Sequence, residues 1–127
     1  MGSNDPINRQ LELLNLTSWT WETRKPFYYD IHGFATLVYE ENMVVFGGRS
    51  NELNKNLDGI HSYDPKSDTW TDRGKLLSSH YYLNVIYSSG WFLVFGDTSV
   101  GRKSERCSFD ENSLICEFQS TSFGSVD

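Results

Sequence analysis

Short apolar runs separated by polar turn residues dominate the chain from residue 32 onward. Residues 43–46 and 91–95 are apolar throughout, a pattern typical of strands that are buried on both faces. The segments around them alternate apolar and polar side chains, which predicts half-buried strands. The sequence therefore predicts an all-β fold built from short strands.

The same order of segments occurs twice. Residues 32–39 align with residues 80–87 without a gap, at an offset of 48 residues. Each copy then continues through a polar turn, an apolar run and a polar loop, at 49–58 in the first copy and 98–104 in the second, into an alternating hairpin. Each unit is therefore predicted to contain four strands.

Four short strands and a period near 50 residues are typical of a β-propeller blade. In the first copy a glycine doublet, Gly47-Gly48, ends the second strand, and Tyr63 and Trp70 follow it downstream. These residues resemble the kelch repeat, in which such a doublet, tyrosine and tryptophan recur. The resemblance implies an all-β, partial kelch-type β-propeller made of four-stranded antiparallel blades. Glycine suits the doublet because it adopts positive φ without a Cβ clash.

The second copy departs from this pattern. Its doublet is Gly96-Asp97, with Gly96 keeping half of the backbone freedom, and Phe109 and Cys116 hold the tyrosine and tryptophan places. The second unit is therefore predicted to be a divergent blade. Trp21 falls 49 residues before Trp70, which indicates a strand of a preceding blade. We expect both tryptophans to be buried between blades.

This interpretation divides the chain into five parts. Residues 1–17 are an N-terminal segment or truncated blade, 18–25 the last strand of a preceding blade, 26–74 a kelch blade, 75–119 a divergent kelch blade, and 120–127 a C-terminal tail. A propeller needs roughly four to eight blades to close. We therefore expect further blades to complete the ring, or self-association through open strand edges.

The resemblance also implies where a partner binds. Partners of kelch proteins contact the loops that follow the second strand and those that connect blades. The polar and cationic candidates in the two corresponding loops are Arg49, Asn51, Lys55, Arg102 and Lys103. A basic surface on an acidic protein suits an acidic peptide, because arginine binds carboxylates through two parallel hydrogen bonds. The alternative is that these cations only keep the surface solvated.

The function predicted first is a non-enzymatic protein-interaction module, as in cytoplasmic scaffolds or the substrate receptors of ubiquitin ligases. Those receptors carry a BTB domain, which this sequence does not contain. The 17 acidic and 11 basic side chains give a net charge of −6, which argues against binding to duplex nucleic acid. No apolar stretch approaches the roughly 20 residues of a membrane span, and the N-terminus lacks the pattern of a signal peptide, so a cytoplasmic location is expected.

No motif predicts catalysis. Phosphate-binding glycine loops and a GxSxG nucleophile elbow are absent from the sequence, so part of a propeller enzyme is the less favoured alternative. His32, His61 and His80 do not suggest a metal site, because His32 and His80 occupy equivalent places on successive blades. No catalytic residue, metal ligand or cofactor is therefore predicted.

Cys107 and Cys116 lie on the two strands of the last predicted hairpin, one on each side of its turn. Centring its turn on residues 111–112 places the two cysteines directly opposite each other. We predict a disulfide if the chain is extracellular and two reduced thiols if it is cytosolic. The alternative function is accordingly an extracellular kelch-like protein, favoured by this pair and by the glycosylation acceptor sequence at residues 15–17, and disfavoured by the missing signal pattern.

Overall fold

The computed structural model describes residues 9–98 and 101–119. The regular elements of these residues are strands, which confirms the all-β prediction. They are β1 (Leu11–Asn15), β2 (Thr20–Arg24), β3 (Ala35–Tyr39), β4 (Asn42–Phe46), β5 (Arg49–Ser50), β6 (Lys55–Asn56), β7 (Gly59–Asp64), β8 (Thr69–Lys75), β9 (Tyr81–Ser88), β10 (Trp91–Thr98), β11 (Gly101–Asp110) and β12 (Ser113–Phe118).

Eight of these strands form two four-stranded antiparallel sheets. Blade 1 has the order β3-β4-β7-β8, and blade 2 has the order β9-β10-β11-β12. The short β5–β6 hairpin lies in the connection between β4 and β7, and β1 pairs with β2 alone. The architecture is an open, partial propeller of stacked blades, as predicted.

The main core lies between the two blades, where β3 packs against β9 and β8 against β12. Phe46 of blade 1 and Phe92 of blade 2 are fully buried there, with ring centroids 5.7 Å apart. The buried members of this core are Ala35, Val44, Phe46, Ile60, Leu76, Leu83, Phe92, Val94, Cys107 and Leu114. Removal of this apolar area from water is the main force that holds one blade on the next.

A second core covers the opposite face of blade 1. It centres on the buried ring of Phe27, whose centroid lies 5.1 Å from that of Tyr29, 5.2 Å from that of His61 and 4.9 Å from that of Trp70. Its buried members are Phe27, Ile31, Val45 and Leu57. Blade 1 is therefore packed on both faces, which explains why residues 43–46 lack polar alternation.

The N-terminal hairpin β1–β2 has the same form as the outer hairpin of blade 1. Leu14 pairs with Trp21 as Tyr63 pairs with Trp70, 49 residues later. In both turns the fourth residue after the first strand, Trp19 in one and Asp68 in the other, has φ 57°. Residues 18–25, predicted as a single strand, thus have a partner strand within the N-terminal segment. The domain boundaries themselves stay a prediction.

The predicted offset of 48 residues is wrong by one. The β3–β4 turn at Glu40-Glu41 and the β9–β10 turn at Ser89-Gly90 both have positive φ throughout, and they are 49 residues apart. Tyr39 and Tyr87, which the 48-residue alignment superimposes, instead contact each other across the blade interface, with ring centroids 5.1 Å apart. The 48-residue alignment superimposes two identical residues that occupy different positions in the two blades.

The prediction that both tryptophans are buried between blades is also wrong for Trp21. Trp70 is half-buried against Phe27, whereas Trp21 is 64% exposed. Trp21 lies on β2, which among the described strands pairs with β1 alone. Burial at this repeat position therefore depends on the neighbour that packs against it, and not on the tryptophan.

Hairpin register differs from the prediction only in detail. Cys107 lies directly opposite Cys116, and Asp110 opposite Ser113, as predicted. The same counting predicts His61 opposite Trp70 in blade 1, and this prediction is wrong: the residue opposite Trp70 is Tyr63, because the turn after Asp64 holds four residues. Cys107 and Cys116 thus occupy in blade 2 the paired positions that Tyr63 and Trp70 occupy in blade 1, and Phe109, predicted to hold the tyrosine place, lies two residues beyond it.

Candidate interaction surface

One edge of the blade pair carries its long connections, and we call this edge the loop face. Strand β3 begins and β4 ends there, since Ala35 pairs with Phe46. Strand β7 begins and β8 ends at the same edge, since Gly59 pairs with Lys75. The loop face is therefore formed by residues 29–34, 47–58 and 76–80 and by the adjacent ends of β10 and β11, whereas Lys25 lies at the other end of β8, against Asp68 and Trp70.

The glycine doublet starts the longest of these connections. Gly47 has φ 60° and Gly48 has φ 103°, both in the region that favours glycine. A Cβ on Gly48 would lie 2.9 Å from the carbonyl oxygen of His32. The doublet therefore turns the chain out of the sheet at a point of close backbone approach, as the sequence predicted, and the chain then forms the β5–β6 hairpin.

Blade 2 has no such loop at the corresponding place within the described residues. Gly96 pairs with Lys103 and Asp97 with Arg102, so the sheet continues to Thr98 on one strand and from Gly101 on the other. The prediction of a polar loop is therefore wrong for residues 98 and 101–104, and residues 99–100 lie outside the described ranges. The polar side chains suggested a loop, but backbone pairing does not require apolar side chains at a strand end. Gly96 is not a turn residue, because it lies beside a bulge of β10 with no positive φ.

A buried carboxylate fixes the loop of blade 1. Asp30 accepts hydrogen bonds from the Ser50 hydroxyl at 2.6 Å, the Glu52 amide at 2.9 Å and the Asn51 amide at 3.0 Å. The Ser50 hydroxyl in turn accepts one from the Leu53 amide at 3.1 Å. The hydrogen bond from Ser50 lowers the pKa of the Asp30 carboxyl, and those from the two amides lower it further, against an opposing effect of burial.

The loop presents both charge and apolar surface. Asn51 and Lys55 are exposed, and Leu53 at the tip of the loop is 46% exposed. The half-buried Arg49 donates to the Asn54 side-chain oxygen at 2.9 Å and to that of Asn56 at 3.3 Å. Both acceptors are neutral amides, so neither neutralises the charge of the guanidinium.

The structure thus brings three of the five predicted partner-binding residues onto one hairpin: Arg49, Asn51 and Lys55. The backbones of Arg102 and Lys103 lie on β11, and their side chains lie outside the described part of the chain.

Large exposed apolar side chains also lie in or next to the connections between blades, and sequence reasoning missed them because these connections were considered only for their charges. They are Tyr28 (50% exposed), Phe34 (40%) and Leu77 (51%) in the connections, and Tyr82 (73%) at the start of β9. Of these, Tyr28 packs beside His61 and Trp70. The signal of the three in the connections was available in the sequence, because each is a large apolar residue in a segment without strand periodicity.

A buried contact between a histidine and a carboxylate fixes the connection into blade 2. His80 Nε2 lies 2.6 Å from Glu105 Oε2, and both side chains are fully buried. The Glu105 carboxylate also accepts the Leu77 amide at 2.7 Å and the Ser78 amide at 3.1 Å. This arrangement is structural, because it joins β11 to the segment that leads from β8 into β9.

The three histidines lie in three different environments. His80 pairs with Glu105, His61 packs against Phe27, and the backbone of His32 bridges to Arg49. Burial lowers the pKa of His61, and the nearby Asp72 carboxylate opposes that shift.

Three potential metal ligands converge instead in blade 2. The ligand atoms of Glu105, Cys107 and Cys116 all lie within 4.8 Å of one another. The sulfurs of Cys107 and Cys116 are bonded at 2.09 Å, with the Cα atoms 4.0 Å apart. Sequence reasoning considered the two cysteines only as a pair and gave Glu105 no role.

The opposite edge of the molecule carries a cleft of about 340 Å³ between the blades. Arg73 lines it and bridges its two sides, donating to Ser62 Oγ at 2.8 Å and to the carbonyl oxygen of Asn112 at 3.1 Å. Arg24 on β2 makes the equivalent contacts one blade earlier. It donates hydrogen bonds to Tyr63 Oη at 2.9 Å and to the carbonyl oxygen of Pro65. The cleft is thus crossed by a side chain that ties neighbouring blades together.

Comparison with known proteins gives one family and one fold. The family model described as Kelch motif matches residues 31–76. No curated protein sequence matches that of the chain at a significant level. A solved structure titled "Structure of YjhT" is similar with a TM-score of 0.57 and 16% identity, over 77% of this chain and 34% of that one.

The chain therefore spans about a third of the length of that solved protein, and at this identity the similarity concerns the fold alone. In the described ranges, no helix has both the length and the apolar character needed to span a bilayer.

Proposed function

Because residues 31–76 form a kelch repeat within an open, partial β-propeller, we propose that the chain is a non-enzymatic module whose loop face binds a protein partner. Kelch repeats generally mediate protein interactions and generally occur in non-enzymatic domains. The proposal places the contact on the Arg49–Asp58 loop of blade 1 and its apolar surroundings. Its biological setting would be a cytoplasmic scaffold or a substrate receptor.

The observation that carries this proposal is the anchoring of the loop by Asp30. Three hydrogen bonds to one buried carboxylate hold residues 50–52 in a single conformation. A loop that is already ordered loses less conformational entropy when a partner binds. Ordered, exposed loops on a rigid scaffold are the usual place for recognition residues.

The side chains of the loop favour an acidic peptide with an apolar residue. Lys55 and Arg49 supply positive charge, and the Glu52 carboxylate lies 3.9 Å from the guanidinium of Arg9. The exposed Leu53 supplies apolar area on the same loop. Charge at the rim favours association with an acidic partner, while the apolar contacts supply affinity.

Site-specific photo-crosslinking tests the proposal. A photoreactive amino acid is placed at Asn51 on the loop face and, as a control, at Lys66, which is 81% exposed at the opposite edge. We expect an acidic protein to be captured from Asn51 alone, and capture to be lost when Lys55→Glu is combined with Arg102→Glu and Lys103→Glu. Lys66→Glu should leave capture unchanged. Equal capture from both positions would contradict the loop face as the binding surface.

An extracellular kelch-like protein is the second candidate. The bonded sulfurs of Cys107 and Cys116 favour it, because disulfides persist in oxidising compartments. Peptide mapping without reduction, on protein from its native source, separates the two candidates. A disulfide-linked peptide pair is expected from the extracellular protein, and two alkylated cysteines from the cytoplasmic one.

A further inference from the structure

We propose that the Cys107–Cys116 pair, once reduced, forms with Glu105 a binding site for a thiophilic divalent cation, with zinc as the metal that fits best. The site lies in the body of blade 2 and does not depend on the proposed function of the loop face. Two thiolates and one carboxylate are a donor set that zinc accepts.

The geometry brings the three donors together without a change of fold. Their ligand atoms lie within 4.8 Å of one another. Any two ligand atoms on a tetrahedral zinc with bonds of about 2.0–2.3 Å lie roughly 3.3–3.8 Å apart. The two sulfurs are no longer bonded to each other after reduction, and rotation of the two side chains moves them apart. Cys107 and Glu105 are fully buried, while Cys116 on the outer strand is partly exposed and opens the site to solvent.

Glu105 keeps acceptor capacity for a metal. A carboxylate offers about four lone-pair positions, and three are used here by the Leu77 amide, the Ser78 amide and His80. The remaining position allows binding through one oxygen. The same three contacts hold the carboxylate in place, and such outer hydrogen bonds are what orients a metal ligand.

An ordinary thiol reductant supplies the electrons that open the disulfide. Two molecules of a glutathione-type thiol reduce the Cys107–Cys116 bond by two electrons, their two thiol protons are taken up at the cysteine sulfurs, and the two reductant sulfurs leave joined as a disulfide. Zinc then displaces these two protons to solvent as it binds the thiolates. Two sulfurs and one oxygen fill three positions, and water completes the tetrahedron. Blade 2 would then be crosslinked in either redox state, by a disulfide or by a metal.

Cobalt titration of the reduced protein provides the test. The protein is reduced with a phosphine, freed of the reductant without oxygen, and titrated with Co²⁺ while thiolate-to-cobalt absorption is recorded. We expect one equivalent to bind with a thiolate band, Zn²⁺ to displace it, and the oxidised protein to show no band. Cys116→Ser should abolish the two-sulfur spectrum, whereas Ser108→Ala, on the same strand pair but opposite Ile115, should not change it.

X-ray absorption of the zinc-bound, reduced wild type decides the ligand set without relying on a variant. Two sulfurs at about 2.3 Å and nitrogen or oxygen at about 2.0 Å are expected. Glu105→Gln should weaken Zn²⁺ binding by about 10–100-fold. No thiolate band in the reduced wild type, an unchanged band in Cys116→Ser, or fewer than two sulfurs at the zinc would each overturn the proposal.

Discussion

The two blades place different chemistry on the same backbone framework. In blade 1 the positions paired between the outer strands hold Tyr63 and Trp70, and in blade 2 they hold Cys107 and Cys116. Two residues before Tyr63 on β7, His61 lies beside Val45 of β4. Two residues before Cys107 on β11, Glu105 lies beside Val94 of β10. Val45 and Val94 are 49 residues apart, the spacing that relates the two blades.

The difference concerns how each blade is fixed to the segment that enters it. In blade 1, aromatic packing of His61 and Trp70 against Phe27 does this. In blade 2, a carboxylate that binds two amides and a histidine does it, and a sulfur–sulfur bond joins the outer strands. The two blades thus use the same strand positions for these contacts, although the type of interaction at each position differs.

The largest expected effect separates the equivalent residues Glu105 and His61. Glu105→Ala leaves His80 and two amides without their acceptor in a buried site, and should lower the free energy of unfolding by about 3–5 kcal/mol. His61→Ala removes ring contacts of a half-buried side chain and should cost about 1–2 kcal/mol. Chemical denaturation measures both. Similar losses would mean that the two blades are fixed in the same way.

The tryptophans test the role of the neighbouring blade. Trp70→Ala removes the packing on Phe27 and the hydrogen bond from Nε1 to the Lys25 carbonyl oxygen at 3.0 Å, at a cost of about 3 kcal/mol. Trp21→Ala, at the same repeat position but largely exposed, should cost less than about 0.5 kcal/mol. Thermal unfolding of the two variants checks this. An equal loss at Trp21 would show that a partner covers it in solution.

The covalent link of blade 2 should contribute somewhat less. The cysteines are nine residues apart, and closing a loop this short contributes about 2–3 kcal/mol in the chain-entropy model. Reduction in metal-free buffer should therefore lower the melting temperature of the wild type and leave Cys107→Ala/Cys116→Ala unaffected. If the reductant shifts the double variant equally, it acts elsewhere than on the sulfur–sulfur bond.

The smallest expected effect is a pH dependence specific to blade 1. The lowered pKa of Asp30 means that the folded state favours its ionised form, so this stabilisation is present above the unfolded value of about 3.9 and is lost as pH falls through the folded value. Asp30→Asn should reduce stability at neutral pH and flatten the acid side of the profile. Ser50→Ala, which removes the largest cause of the shift, should flatten it in part. Melting temperatures of the wild type and the two variants, measured between about pH 2 and 7, test these expectations.

The sequence was sufficient where a local pattern determines the structure. The glycine doublet gave the turn out of blade 1, and the polar turn of the last hairpin gave the opposition of Cys107 and Cys116. Residues 11–24 also match residues 60–73 at Ser18, Thr20, Trp21 and Arg24, so the N-terminal hairpin could have been found with an offset of 49.

Contacts between distant segments could not be predicted in the same way. His80 and Glu105 are 25 residues apart, and nothing in either neighbourhood shows that one strand brings the carboxylate to the other segment. The anchoring of the loop by Asp30 spans about 20 residues and depends on how the chain enters blade 1. Polarity also failed as a guide at residues 98 and 101–104, where backbone pairing extends the strands.

The arginines that cross the blade boundaries bear on cooperativity. Arg24 and Arg73 each leave the last strand of one unit and donate to a turn carbonyl of the next, so each terminal turn is bonded to the unit before it. In a linear array, stability is the sum of what each unit contributes and what each boundary contributes. These bonds belong to the boundary terms, and they make the opening of one unit unfavourable while its neighbour remains folded. We therefore expect the hairpin that precedes blade 1 and the two blades to unfold together.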